Sequence, residues 1–208
     1  MLFSFKKKIN IEFLRVLGDS GVGKTSLFRV LHCIWPVNIE GSYSYQLNTA
    51  FLLPQRPYFT NLSLHDELAY PDADIQVSVQ RETNIIRLLE EWNLSHILDY
   101  VDSNLYICPD YAWQDLLSPG ELQRLSFLRL LLRFSLTSEQ ESSRLSLIFL
   151  DEITSSLDVN TEMKMYQYLL QQNVTLISIG HRDSLKKFHQ FELKLYKNGR
   201  HTLENIQL

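Results

Sequence analysis

Cysteine is scarce in this 208-residue chain: only Cys33 and Cys108 occur, with no pairing pattern. Two such thiols exclude a disulfide scaffold and a cysteine-based metal centre, and they fit a reducing compartment. Cys33, beside His32 on an expected helix, reads as a buried thiol rather than a ligand. Long apolar runs are also missing. The most apolar window, Phe127 to Leu136, is interrupted by Arg129 and Arg133 and is too short for a bilayer. Leu2-Phe3-Ser4-Phe5 is too short for the apolar stretch of a signal peptide. There is no excess of positive charge. A formal net charge of −4 argues against a general nucleic-acid surface, so no nucleic-acid partner is expected. The one basic run, Lys6-Lys7-Lys8, reads as an exposed turn. No internal repeat is found. Hydrophobic residues make up 45%, enough for a real core, in one large domain or a core with an inserted subdomain.

What is present is a complete G-x-x-x-x-G-K-[ST] phosphate-binding loop, Gly18-Asp19-Ser20-Gly21-Val22-Gly23-Lys24-Thr25, followed by Ser26. Its glycines let successive backbone N–H groups turn toward one anion, and Lys24 brings a positive charge to the β- and γ-phosphates. The Thr25 hydroxyl suits Mg²⁺, and a helix starting there points its positive dipole end at the phosphates. The flanks are the required ones: the apolar run Phe13-Leu14-Arg15-Val16-Leu17 precedes the loop. Leu27, Val30, Leu31 and Ile34 follow at helical spacing. Residues Gly18 to Ser26 are therefore expected to bind a nucleotide. That implies access to ATP, so the sequons at Asn61, Asn93 and Asn173 read as coincidental.

The remaining elements read as α/β at both ends with a helical block between. Strands are expected at Glu12–Leu17, Ala50–Leu53, Leu145–Leu150 and Thr175–Ile179, with helices at Thr25–Ile34, Thr161–Gln171 and Ser184–Phe188. Asn198-Gly199 between Glu192–Tyr196 and His201–Ile206 predicts a β-hairpin. From Ser63, which can cap a helix with Asp66 three residues on, the pattern turns helical, and Ile85, Leu88, Leu89 and Trp92 share one face as subdomain core. The polar stretch Thr137–Ser143 reads as an exposed loop.

Two further segments carry chemistry. Leu147-Ile148-Phe149-Leu150-Asp151-Glu152 is a buried strand running into two acids, as a central parallel strand does where its C-terminal edge meets a ligand. Asp151 would hold the magnesium shell, and Glu152 would polarise a water for attack on the γ-phosphate. Leu117-Ser118-Pro119-Gly120-Glu121 is by local rules a well-made helix start: Ser118 as N-cap, Pro119 in the first turn and Glu121 closing a capping box.

That last segment resembles the L-S-G-G-Q signature of ATP-binding cassette (ABC) proteins. Gln55, in Leu52-Leu53-Pro54-Gln55-Arg56-Pro57, matches that family's Q-loop, Ser155-Ser156-Leu157-Asp158 its D-loop, and His181 in Ile179-Gly180-His181-Arg182 its switch histidine. The order of motifs is the family's, over roughly residues 12–206. Phe51 to Tyr58, Tyr70-Pro71, Leu117 to Phe127 and Ile179 to His189 are similar in wording to subfamily D, the half-transporters of acyl-CoA and cobalamin. Trp113-Gln114-Asp115 and Leu193-Lys194-Leu195 resemble its lysosomal cobalamin branch, and bacterial exporters share much of this wording.

The resemblance implies a phosphate-loop core of about residues 1–62 and 145–208, with a mainly parallel sheet and a C-terminal β-hairpin. A helical subdomain of about 63–144 would be inserted in it. It further implies ATP and Mg²⁺ as cofactors, with Thr25, Gln55 and Asp151 around the metal and Glu152 and His181 as catalytic residues. Asp158 would act in the D-loop, and Leu117, Ser118, Pro119, Gly120 and Glu121 would complete the nucleotide site of a second cassette. The other implied partner is the transmembrane domain of a half-transporter. The place is then the cytosolic face of a membrane: lysosomal, endoplasmic-reticulum or peroxisomal in a eukaryote, plasma membrane in a bacterium. Only 17 residues precede the phosphate loop, whereas the family's first strands and adenine-stacking aromatic lie further upstream; Phe3, Phe5 and Phe13 are too close for that role. The first strands are thus expected to be missing. An alternative function follows, a truncated cassette that binds ATP without hydrolysing it and serves as an interaction module. A GTPase or small-molecule kinase is disfavoured, since no N-K-x-D motif occurs.

Lys24→Ala is expected to lose most nucleotide affinity, roughly 1.5–3 kcal/mol for one charge-assisted phosphate contact. Titration with a fluorescent ATP analogue measures it; unchanged binding rejects the phosphate-loop reading.

Overall fold

A computed structural model describes residues 12–35, 50–71, 79–136, 147–172 and 174–206. Lys6–Lys8, Phe3, Phe5, the stretch 137–143, residues 145 and 146, and Asn173 lie outside these. The chain divides into two compact units, one made of residues 1–55 and 143–208, the other of 56–142.

The first unit is built on a sheet. Its strands are β1 (Phe13–Gly18), β2 (Ala50–Leu53), β3 (Leu147–Asp151), β4 (Thr175–Ile179), β5 (Phe191–Leu195) and β6 (His201–Asn205), in the spatial order β2-β3-β4-β1-β5-β6. Every pairing is parallel except the β5–β6 hairpin. All five residues of β3 are buried, which is why it reads as a continuous apolar run rather than an alternating one. Helix α1 (Lys24–Leu31) lays Phe28 edge-on to Phe149 at 5.2 Å, in a core that includes Leu14, Val16, Ile179 and Leu193. Phe13 is buried in β1.

Several expected boundaries shift, for local reasons. Helix α1 stops at Leu31 because Cys33 takes a left-handed φ of 57° and the N–H groups of Ile34 and Trp35 turn back to the Arg29 carbonyl. Cys33 is accordingly exposed, not buried. Helix α6 (Val159–Leu170) starts two residues earlier than expected, since the Asp158 carboxylate caps it by accepting from the N–H groups of Asn160 and Thr161. The hairpin turn holds Gly199 at φ 78°, with Asn198 Oδ1 accepting from the Arg200 N–H.

The second unit is helical: α2 (Leu64–Ala69), α3 (Val79–Glu91), α4 (Trp113–Leu116) and α5 (Pro119–Leu136), with a 3₁₀ turn at Ser95–Val101. Ser63 caps α2 as expected, accepting from the Asp66 N–H. Ile85, Leu88, Leu89 and Trp92 are all buried, with Trp92 edge-on to Phe127 at 5.0 Å. α5 packs against α2, α3 and α4, and its Leu125, Phe127, Leu128, Leu130, Leu131 and Leu132 are buried on more than one side. A helix enclosed this way needs no narrow apolar stripe. Its one deeply buried cation, Arg129, is fully engaged: Nη2 meets Glu67 Oε2 at 2.7 Å, Nε the Glu67 carbonyl and Nη1 the Tyr58 carbonyl, with the guanidinium 4.1 Å over the Phe59 ring. Among the described residues no helix is long and apolar enough to cross a membrane.

Arg129→Ala strands Glu67 as an unpaired buried charge, so it is expected to destabilise the helical unit by about 3–5 kcal/mol. Replacing both residues by Met and Leu should recover most of that loss. Urea unfolding followed by Trp92 and Trp113 fluorescence reads the difference.

Candidate nucleotide-binding site

The site forms where β1, β2, β3 and β4 end. The chain leaves β1 at Gly18 with φ 149°, and a Cβ there would stand 2.6 Å from the Leu195 carbonyl oxygen; only glycine fits. Gly21 and Gly23 also have positive φ, and α1 begins directly at Lys24. Lys24 is buried, and its ammonium donates to the carbonyls of Gly18 at 2.8 Å and Asp19 at 3.2 Å. Three donors against two carbonyls leave an N–H for a phosphate oxygen. Val22 contributes main chain only, its side chain being packed into the core. Asp19 is exposed, with Lys197 4.0 Å away.

Across the loop, Thr25 Oγ1 donates to Asp151 Oδ1 at 3.1 Å. Burial pushes the Asp151 carboxyl above its ordinary value; the Thr25 bond opposes this, and the neighbouring Glu152 charge adds to it. A positive charge brought to this spot relieves both effects. Glu152 follows the strand at φ 49°, a left-handed conformation unusual for a residue with a side chain, and its N–H donates to the Ile179 carbonyl. That turn aims the carboxylate back over the loop. Gln55 Nε2 donates to Glu152 Oε2 at 2.8 Å, His181 Nε2 lies 3.1 Å from Oε1, and Lys24 Nζ stands 4.0 Å from Oε1. Since the carboxylate is the acceptor, the imidazole proton sits on Nε2.

A cleft of about 350 Å³ is lined by Ser20, Gly21, Gly23, Lys24, Thr25, Ser26, Gln55, Glu152 and His181. Expected site residues far apart in the chain are thus brought together. Thr25 and Gln55 line the cleft and Asp151 is bonded to Thr25, so hydroxyl, amide and carboxylate oxygens are on hand, the donor types a magnesium ion takes. Among the described residues no three His, Cys, Asp or Glu side chains are placed to hold a metal by themselves.

Leu117 to Glu121 lie in the helical unit, at the start of α5. Ser118 and Pro119 are exposed and Leu117 is buried. The capping box is formed: Glu121 Oε2 accepts from the Ser118 N–H at 2.8 Å and hydroxyl at 2.7 Å, while His96 Nε2 lies 2.8 Å from Oε1. Asp158, besides capping α6, receives the Thr161 hydroxyl. Two residues escaped the sequence reading. Arg182 Nη2 donates to the Leu157 carbonyl at 2.9 Å and Nη1 to Glu162 at 3.2 Å, joining the segment after β4 to the one before α6. Arg15 is buried beneath Gly180–Arg182. A cation inside the apolar run of β1 was the available signal.

No family model matches the chain. It is 38% identical over 205 residues to the lysosomal cobalamin transporter ABCD4 of Homo sapiens, covering 95% of this chain and 32% of that protein. It is 34% identical to an uncharacterized ABC transporter ATP-binding protein of Haemophilus influenzae (89% and 28%), and 31% identical to ATP-binding cassette sub-family D member 3 of Homo sapiens (92% and 27%). The chain thus spans about a third of the length of the curated relatives it matches. Among solved structures, a bacterial Atm1-family ABC exporter with ATP bound superposes with a TM-score of 0.69 at 18% identity, covering 94% of this chain and 34% of that one; the fold is shared.

Glu152→Gln keeps the shape and removes the base. ATP should still bind, while phosphate release falls by roughly 10²-fold or more. Turnover at the parental rate would show that another group takes the proton.

Proposed function

Because the chain belongs with the ATP-binding cassette proteins of ABC transporters, subfamily D among them, we propose that it binds and hydrolyses ATP to power a membrane half-transporter. The observation that carries this is the convergence of Gln55, His181 and Lys24 on the one carboxylate, Glu152, at the mouth of the phosphate loop. A carboxylate offers about four acceptor sites, so two hydrogen bonds leave room for a water.

In this reading the loop N–H groups and Lys24 hold the phosphates. Glu152 accepts a proton as the water oxygen bonds to the γ-phosphorus and the bond to the β,γ-bridging oxygen breaks, with ADP leaving. With ATP bound, His181 would turn its Nε2 proton from Glu152 to the γ-phosphate. Thr25, Asp151 and Gln55 would hold magnesium, which neutralises charge on the phosphate oxygens. Catalysis of this kind is mostly positioning and electrostatics, so the protein's task is to keep these groups in place.

The second half of each site comes from another cassette. Ser118, Pro119 and Gly120 sit at a helix start whose positive dipole end favours an anion, and two copies arranged head to tail would bring each Leu117–Glu121 to the other's phosphate loop. Asp158 would lie near that interface. Closure and hydrolysis would then move transmembrane helices at the cytosolic face of a lysosomal, peroxisomal, endoplasmic-reticulum or bacterial plasma membrane. Cobalamin or a fatty acyl-CoA is the cargo class this reading favours, supported by the likeness to a protein named for cobalamin.

Gly120→Asp puts a negative side chain where the γ-phosphate must approach, and Ser118→Arg fills the same space. Both variants should bind ATP as monomers with near-parental affinity, yet lose ATP-dependent dimerisation and hydrolysis. Mixed with Lys24→Ala chains they should recover at most one working site in two. Sedimentation with ATP and phosphate release measure this; normal dimers and turnover with Gly120→Asp reject the head-to-tail site. ATP binding and dimerisation without turnover in the parent chain, alone and with a full-length partner, would instead select the interaction module.

A further inference from the structure

β1 carries a charge where its neighbours are apolar. Arg15 lies between Leu14 and Val16 and is only 1% exposed. Successive strand residues face opposite sides of the sheet, so Leu14 and Val16 enter the apolar core while Arg15 points away from it. In register it stands opposite Ser178 of β4 and Glu192 of β5. A buried guanidinium is costly unless its five donors are used. Here Nε donates to the Gly180 carbonyl at 3.0 Å, Nη2 to the Arg182 carbonyl at 2.9 Å, and Nη1 reaches Glu192 Oε2 at 3.5 Å. The two carbonyls are those on either side of His181.

We propose that Arg15 is a positioning residue for hydrolysis: its planar fork grips the main chain on both sides of His181 and fixes that imidazole against Glu152. The proposal rests on the reading of His181 as the residue that meets the γ-phosphate. The surroundings make the grip firm. A Cβ at Gly180 would stand 2.6 Å from Leu185 Cδ1, so the Leu185 side chain packs directly against this loop. Beneath it, Ser178 Oγ meets His189 Nε2 at 2.7 Å, and His189 Nδ1 donates to the Leu185 carbonyl at 2.8 Å. His189 is neutral, held down to about 4 by burial, with the Arg15 cation contributing. The carboxylate paired with Arg15 is Glu192, while Glu162 pairs with Arg182. Lysine is a poor substitute for Arg15, because its donors share one nitrogen whereas the guanidinium reaches the two carbonyls and Glu192 from three separate nitrogens.

Two variants test this in the full chain. Arg15→Lys keeps the charge beside Glu192 and with it the fold. Arg15→Met combined with Glu192→Gln removes both charges together, a change buried pairs often tolerate. ATP affinity should stay within about threefold of the parent in both, since the phosphate loop is untouched. The expected result is a kcat at least about tenfold lower with KM nearly unchanged, and amide hydrogen exchange at residues 180–182 at least about tenfold faster with none added in α1. In a His181→Ala background the Arg15 variants should cost nothing further, because the two residues act through one group. Parental exchange at 180–182, or kcat losses that multiply with His181→Ala, would overturn the assignment. If His181→Ala alone turns over at the parental rate, the switch reading falls, and Arg15 loses its role in hydrolysis with it.

Discussion

The parallel ladder between β3 and β4 is the constraint on which the rest of the site depends. It sets Asp151 opposite Ile179, and the next N–H, that of Glu152, still reaches the Ile179 carbonyl after the chain has left the strand. One hydrogen bond thus ties the residue carrying the carboxylate to the strand that delivers His181. The β1–β4 ladder brings Val16 level with Ile179, two residues before Gly18 opens the phosphate loop. Slipping either pairing by one residue would turn alternate side chains to the wrong face and part Glu152 from His181.

Much of this was legible because it is written locally. The phosphate loop is a spacing rule, the capping box of Ser118 and Glu121 another, and β3 announces itself by five consecutive buried residues. Ile85, Leu88, Leu89 and Trp92 were readable for the same reason, a helical period facing one side. Periodicity says where apolar residues recur, not where the backbone turns. Cys33 was misplaced in the interior because its left-handed φ ends α1 and swings the following residues outward. Arg15 was passed over for a different reason: its partners lie 165 or more residues away, and no window contains them.

The helical unit shows the same contrast. Its apolar core follows from composition and period, but Arg129 in the apolar stretch of α5 looks from sequence like an interruption. In the fold it gathers Glu67 and the carbonyls of Tyr58 and Glu67 into one satisfied cluster. Arg15 and Arg129 do the same job: each satisfies main-chain carbonyls of segments outside its own element, where a fork of donors serves better than a point charge.

Glu152 holds its position in a left-handed conformation that a side chain resists, at a cost of order 1 kcal/mol or more. Glycine there would relax the backbone while removing the carboxylate. A change that removes this carboxylate is therefore one the local backbone favours, set against the contacts to Gln55, His181 and Lys24 that it would give up. What keeps a glutamate at this turn is then a demand made by the site and not by the backbone that carries it.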